Sequence, residues 1–406
     1  MGDTPPRLVQ ISEWVFLALV VVLPVMQPSL LQFGTFPIPI ADALFLVAMT
    51  AAGLGWLQGP RKLRVAAWPL AVLAYLAASA LSAAWSIDIR SSAIKLAGTT
   101  YLCGLGWLTF QHASTPRGLR RVTTAWCLGT AITIGAAAVG VVLFYAGVTG
   151  AANPFLYPFG SLPPGPYPRV MALFLNANAL CTYAAASAMI ALSATAAGDL
   201  PAWAGRLLFA GSVATAVLTV SPVIGGLLLA LALWYAAALR PRRPLAARYL
   251  SVLGGLAALA FLAATTVSPT GEGPSSRVMV WNEAWQVFLQ NPLLGIGLGE
   301  EVAHVHYLNA SGELEYLTDA HNLWLSILAQ QGLVGAAAFA LVIALLIWPA
   351  ERLSPSGEPR AVRRSGLVLG LLAGVLYAGL SGAFEDTRHV WVLMGLAASA
   401  RFAPHA

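Results

Sequence analysis

The chain has 406 residues, of which 58% are hydrophobic and only 9% charged, with a formal net charge of +6. A soluble domain carries about 25% charged residues, so a soluble enzyme of this length is excluded. The positive surplus sits between apolar runs, where it reads as membrane topology and argues for no nucleic-acid partner.

The apolar runs reach the length of about 18 or more residues that a helix needs to cross a bilayer. They are continuous, not alternating, which selects helices over a barrel. In chain order they predict about twelve spans, at 14–31, 38–57, 66–85, 92–111, 122–146, 170–196, 206–221, 222–239, 249–267, 332–350, 366–384 and 389–403. The first run has no small-x-small cleavage site, so it reads as a span and not as a removed signal. Spans seven and eight turn at Ser221-Pro222. Cys103, Cys127 and Cys181 all lie within apolar runs at unrelated spacings, as small packing residues would. The whole chain, 1–406, reads as one integral-membrane domain.

Basic residues fix the expected orientation. Seventeen of the 22 fall in one set of loops, and only Arg90, Lys95, Arg169, Arg277 and Arg388 fall in the other. Cytoplasmic loops collect Lys and Arg, so both termini are expected in the cytoplasm. The outer face then holds two substantial loops, at 147–169 and 268–331. The larger one carries seven of the sixteen acids. Within it, SSRVMVWNEAWQVFLQNPLLGIGLG predicts an amphipathic helix closed by Asn291-Pro292, with Val280, Trp281, Ala284, Val287 and Phe288 on one face.

The loop ends in LTDAHNLWLSILAQQGLVG. Thr318 or Asp319 can cap a helix starting near Ala320, and Gly332 is a natural break before the tenth span. This places His321 in the first helical turn, where the positive end of the dipole disfavours imidazolium and leaves a ring able to accept a proton. Asn322, Ser326 and Gln330 form a polar stripe along the same helix.

The five outer cations each sit near a span end. Singly, each can snorkel to headgroups or pair with acids such as Asp88 and Asp386. Together they fit an anionic site at the membrane surface, since guanidinium forks match phosphate oxygens. His304, His306 and His321, with Glu300, Glu301 and Asp319, are a candidate metal site. His-x-His spacing shares a face only in a strand, so metal ligation is not favoured. His389 reads as an interfacial neighbour of Arg388, and Asn176 and Asn178 as interhelical hydrogen-bonding groups.

Two stretches resemble a known family. Ser275–Gly299 is similar to the arginine-tryptophan helix and Asn-Pro-Leu-x-Gly-x-Gly turn of the O-antigen ligase and polymerase superfamily. Asp319–Gly335 resembles its His-Asn-x-x-Leu signature, and Arg169–Leu180 is a weaker match to its Arg…Phe-x-Asn-x-Asn segment. Where many members show Ser-Arg-Gly at a span start, this chain has Ser221-Pro222-Val223.

The resemblance implies an all-α, polytopic, GT-C-like protein of the bacterial inner membrane with its active site on the periplasmic face. It implies an inverting transfer, without metal or other cofactor, of glycan from undecaprenyl diphosphate to a sugar hydroxyl. The partners are then the lipid-linked polysaccharide donor, a lipid A-core acceptor and membrane lipids. His321 would act as general base, and Arg169 and Arg277 would act with it at the reacting diphosphate. Arg388, Arg90 and Lys95 would complete the diphosphate group, and Asn322, Ser326 and Gln330 would line the acceptor path. A ligase is the expected member, partly from the position of the large loop. The alternatives are a polymerase joining lipid-linked repeats and, from another class, a twelve-span transporter. The short 197–205 loop and the scarcity of midplane charges argue against transport.

Overall fold

The computed structural model describes residues 7–402 except 34–35, 59–62, 158–165, 222–223, 240–243, 267–275, 309–313, 349–357 and 382–386. Each of the apolar runs carries a helix. These are α1 (Arg7–Val22), α2 (Ile40–Leu57), α3 (Ala67–Trp85), α4 (Ile89–Ala113), α5 (Pro116–Tyr145), α6 (Ala177–Ala196), α7 (Ala202–Leu218), α8 (Ile224–Leu239) and α9 (Pro244–Thr266). The amphipathic loop helix α10 (Ser276–Gln290) follows, then α11 (Leu323–Ile347), α12 (Pro359–Ser381) and α13 (Arg388–Phe402). Among the described residues, α2, α3, α5, α6 and α11 are long and apolar enough to cross a membrane by length and composition, and α7 and α8 are shorter apolar helices. Two hairpins complete the fold: β1 (Leu31–Phe33) with β2 (Phe36–Ile38), and β3 (Val305–Leu308) with β4 (Leu314–Leu317).

Lipid tails are as apolar as leucine, so close packing and interhelical hydrogen bonds must hold the helices together. The alanine-rich α6 is the central helix, buried along nearly its whole length. Its Ser187 accepts from the Trp126 indole at 2.9 Å and bonds Thr130 at 3.0 Å, tying α6 to α5. Asn178 accepts from Ser221 in the turn between α7 and α8 at 2.9 Å, while Asn176, expected to bond between helices, instead caps α6 by accepting from the Asn178 amide. The three cysteines are buried and unpaired.

The end of the bundle that collects basic residues uses them to finish helices. Arg64 donates to the carbonyl of Ser114 at the end of α4, Arg360 to Ala400 in α13 at 3.2 Å, and Arg401 to Leu345 in α11. These carbonyls lack intrahelical partners and carry the negative end of the dipole. Arg363 grips Asp199 through two hydrogen bonds, one of 2.7 Å, and so fastens α12 to the α6–α7 turn.

Three boundaries differ from the sequence reading. The sixth helix starts at Ala177 and not near 170, because Val170 bridges to Leu156 and Ala172 adopts a left-handed φ of 48°. The first helix ends at Val22, ahead of the β1–β2 hairpin. α11 starts at Leu323, and its ladder is broken at Gly332, as the glycine forecasts.

The Arg363–Asp199 pair is mostly buried, with side chains 19% and 8% exposed. Removing one partner strands the other charge, at a cost of about 3 kcal/mol. Asp199→Ala is expected to lower the melting temperature in detergent markedly, and Asp199→Ala with Arg363→Ala by less. Equal losses in the two proteins would show that the pair does not tie the helices.

Candidate functional site

The site is built around the break in α11. Gly332 has φ 61° and ψ −161°, a conformation essentially closed to side-chain-bearing residues. The break frees carbonyls of the preceding turn, and the 291–300 loop supplies their donors. Ile296 N–H donates to Ala329 at 2.9 Å and Gly297 N–H to Gln330 at 3.1 Å, while Leu333 N–H donates back to Pro292 at 2.8 Å. A non-helical backbone near the membrane is stable only when its polar groups are met by protein in this way. Gly297, at φ 123°, lies so close to the α3–α4 turn that a Cβ would stand 2.5 Å from the Ser86 Cα. The loop is thus wedged between α11 and the α3–α4 turn.

Glu300 locks the wedge. One carboxylate oxygen accepts from Ser86 Oγ at 2.6 Å and from the amides of Ile87 and Asp88 at 2.7 Å each. These donors, the Ser86 hydroxyl first, hold the Glu300 carboxyl below the ordinary glutamate range. Its backbone carbonyl accepts from Gln330 Nε2 at 2.9 Å. Asp88 in turn caps α4, its carboxylate receiving the amides of Arg90 and Ser91. The clamp brings α4 over the start of α11, and a pocket of about 170 Å³ opens between Lys95, Gly299, Glu300, Glu301, Thr318, Asp319, Ser326 and Gln330.

His321 stands at the head of this assembly, partly exposed and outside the helix. This corrects the expectation that it lies in the first helical turn with Thr318 or Asp319 as cap. Asn322 is the cap, accepting from the amides of Trp324 and Leu325 at 3.1 and 3.2 Å. Asp319 accepts instead from Ser326 Oγ at 3.0 Å. His321 takes a left-handed φ of 47°. Such backbone outliers cost about 1–3 kcal/mol and cluster at functional sites. Of the sequence-predicted stripe, Ser326 and Gln330 reach the pocket, while Asn322 is buried with its side-chain oxygen committed to the cap.

The five cations have different surroundings. Arg169 is buried, with its guanidinium 4.8 Å above the Tyr157 ring and Nε donating to the Thr219 carbonyl at 3.3 Å. It is thereby tied to the α7–α8 turn, where Val220 has φ 47°. Arg388 donates twice to Asp42, at 2.6 and 2.7 Å, and Asp42 also accepts from Tyr101 at 2.7 Å. Its sequence-proposed neighbour Asp386 lies outside the described residues. Arg277 lies in the first turn of α10, partly exposed, with no hydrogen bond or ion pair among the described residues. Arg90 is exposed at the start of α4, and Lys95 lines the pocket. His389 is fully buried within the protein, packed edge-on to Phe174 and Tyr183.

Sequence reasoning did not find the Glu300 clamp. In the sequence Glu300 stands out only beside the histidines, and its clamp partners lie more than 200 positions away. Among the described residues, no group of three His, Cys, Asp or Glu side chains is placed to hold a metal ion. His304 instead shares a 2.6 Å hydrogen bond with Tyr316, and its amide donates to Glu283 at 2.6 Å.

The family model described as O-antigen ligase matches residues 171–340 of this chain, a segment that contains α6 to α10, the wedge loop, His321 and the break in α11. No curated protein matches the chain.

Because the folded state holds Glu300 below its ordinary range, its contribution is present above that range. It is lost as pH falls through the lowered value. The melting temperature is expected to drop on acidification below the ordinary glutamate range, and Glu300→Gln is expected to start lower at neutral pH and vary less. Parallel curves for the two proteins would sink the clamp.

Proposed function

We propose, on the premise that the match over residues 171–340 supports membership of the O-antigen ligase/polymerase superfamily, that this protein transfers a glycan from undecaprenyl diphosphate to a sugar hydroxyl of lipid A-core. The topology proposed with it is about twelve crossings, GT-C-like, in the bacterial inner membrane. The termini are cytoplasmic and the large loop is periplasmic. The opposed ends of the bundle support this orientation: one collects the basic residues, the other holds the wedge loop and pocket.

The reading rests on His321. It is a partly exposed imidazole in a left-handed residue, fixed between pocket-lining Asp319 and the α11 cap Asn322. In the proposed reaction it takes the proton of the acceptor hydroxyl as that oxygen attacks the anomeric carbon. The bond from that carbon to the diphosphate oxygen breaks, its electron pair leaves with the diphosphate, and the configuration inverts. Guanidinium groups preorganised near that oxygen stabilise the developing charge. Arg277, unencumbered among the described residues, makes the principal contact. Arg169 and Arg388, oriented by Tyr157, Thr219 and Asp42, add fixed positive charge, with Arg90 and Lys95 at the margin. With no arginine after Ser221, Arg388 is the proposed replacement. Ser326 and Gln330 guide the acceptor, with Asn322 holding their helix in place.

His321→Ala is expected to reduce transfer about 10²–10⁴-fold with unchanged protein amount and donor binding; substantial residual transfer would remove His321 as the base. Arg277→Ala loses a charge-assisted hydrogen bond and should weaken a lipid diphosphate about 10–100-fold, leaving a neutral lipid unaffected. Equal loss for both lipids would indicate misfolding. Deleting the gene and resolving the host's lipopolysaccharide on a gel tests the acceptor. Core-only lipopolysaccharide with accumulated long lipid-linked glycan is expected of a ligase. A core bearing one repeat would mean a polymerase, and an unchanged ladder would discard the pathway.

A further inference from the structure

The hairpin β3–β4 presents two unlike faces. Strand residues alternate sides, and Val305 with Leu317 turns inward to pack on Val280, Ala303 and Trp281. The other face carries His304, His306 and Tyr316 in a row, joined by Leu314, which is 69% exposed. His306 and Tyr316 are cross-strand partners, with ring centroids 4.6 Å apart. His304 lies on the other flank of Tyr316, nearly parallel at 6.1 Å, and the 2.6 Å bond to the Tyr316 hydroxyl fixes its ring. An aromatic row of this kind, half exposed and held on both sides, is a rigid apolar platform.

The platform adjoins the polar pocket. Glu301 lines the pocket and also stands 3.5 Å from the His304 ring. Thr318, at the end of β4, lines it too, and its carbonyl receives the amides of Val302 and Ala303 at 3.0 and 3.2 Å. The pocket wall has three carboxylates to one ammonium, with Ser326 and Gln330 between them. That balance disfavours a phosphate among the carboxylates and leaves Lys95 alone as the cationic edge of the pocket. It suits a ligand with many hydroxyl donors and one apolar ring face.

We propose that Tyr316, flanked by His304 and His306, and the pocket edge at Glu301, Asp319 and Gln330 form a saccharide subsite of the transferase. One sugar ring of the glycan lies on Tyr316, and the hydroxyls of the next reach the carboxylates and the amide. The proposal deepens the transferase reading and takes from it the glycan as ligand. It is tested by binding alone.

The native cysteines are all buried, so Leu314→Cys gives one reactive thiol on the platform. The protein is placed in lipid nanodiscs and labelled with a water-soluble maleimide, with and without about 10 mM of the oligosaccharide released by mild acid from the host's own surface glycan. The sugar is expected to slow labelling several-fold. Adding Tyr316→Ala should abolish the protection, His306→Ala should reduce it, and Tyr316→Phe should keep it. Protection that persists in Tyr316→Ala, or that never occurs in the parent, would overturn the subsite. A thiol reactive in detergent but silent in nanodiscs would mean that the face lies on lipid, and would overturn it equally. Leu314→Cys with His321→Ala separates the two readings: it should still be protected, and if protection holds while His321→Ala leaves transfer intact, the base assignment falls and the subsite stands.

Discussion

The break in α11 at Gly332 is the constraint on which the rest of the site depends. A helix leaving the membrane would normally satisfy its own carbonyls. Here the left-handed glycine interrupts the ladder, and the 291–300 loop must enter to meet the freed groups. Once it does, it touches the α3–α4 turn, and Glu300 is carried within reach of three donors there. The pocket is the space left between these parts. A break in the wrong place would leave the loop without partners and α4 without its link to α11.

Charge is sorted along the same axis. At the basic end, arginines finish helices by capping carbonyls, so residues that mark topology also pin helix ends. At the other end, the clamp consumes one carboxylate, and Asp42 consumes another by holding Arg388. Arg169 is fixed by an aromatic face and a carbonyl. Cations held in this way have lost most of their side-chain freedom, so the field they exert is fixed in place. Arg277 is partly exposed, on a loop helix whose Val280, Ala284 and Phe288 are buried.

His321 shows where sequence reading succeeds and where it stops. The motif around it placed the residue near a helix start above an apolar run, and both features are present. The cap lies a few positions beyond the one the sequence suggests, because Thr318, Asp319 and Asn322 are all competent caps and local preference does not rank them. Asp319 was free to serve the pocket only because Asn322 took the amides. Likewise, the sequence shows residues 304–306 only as a histidine pair. The ring between the two histidines, Tyr316, comes from the opposite strand.

The sequence by itself determined the helical class, the apolar runs, the bias of basic residues and the amphipathic face of α10, because all of these follow from composition and short-range periodicity. It also marked Gly332 as a break. Tertiary structure alone decided that Glu300 clamps Ser86, Ile87 and Asp88, that Arg388 pairs with Asp42 across 346 positions, and that Lys95 shares a pocket with Ser326 and Gln330. These pairings join polar groups far apart in the chain, and nothing in the local pattern of either partner encodes the other. They form because buried or half-buried polar groups must find partners, and only the packed bundle fixes which partners lie within reach.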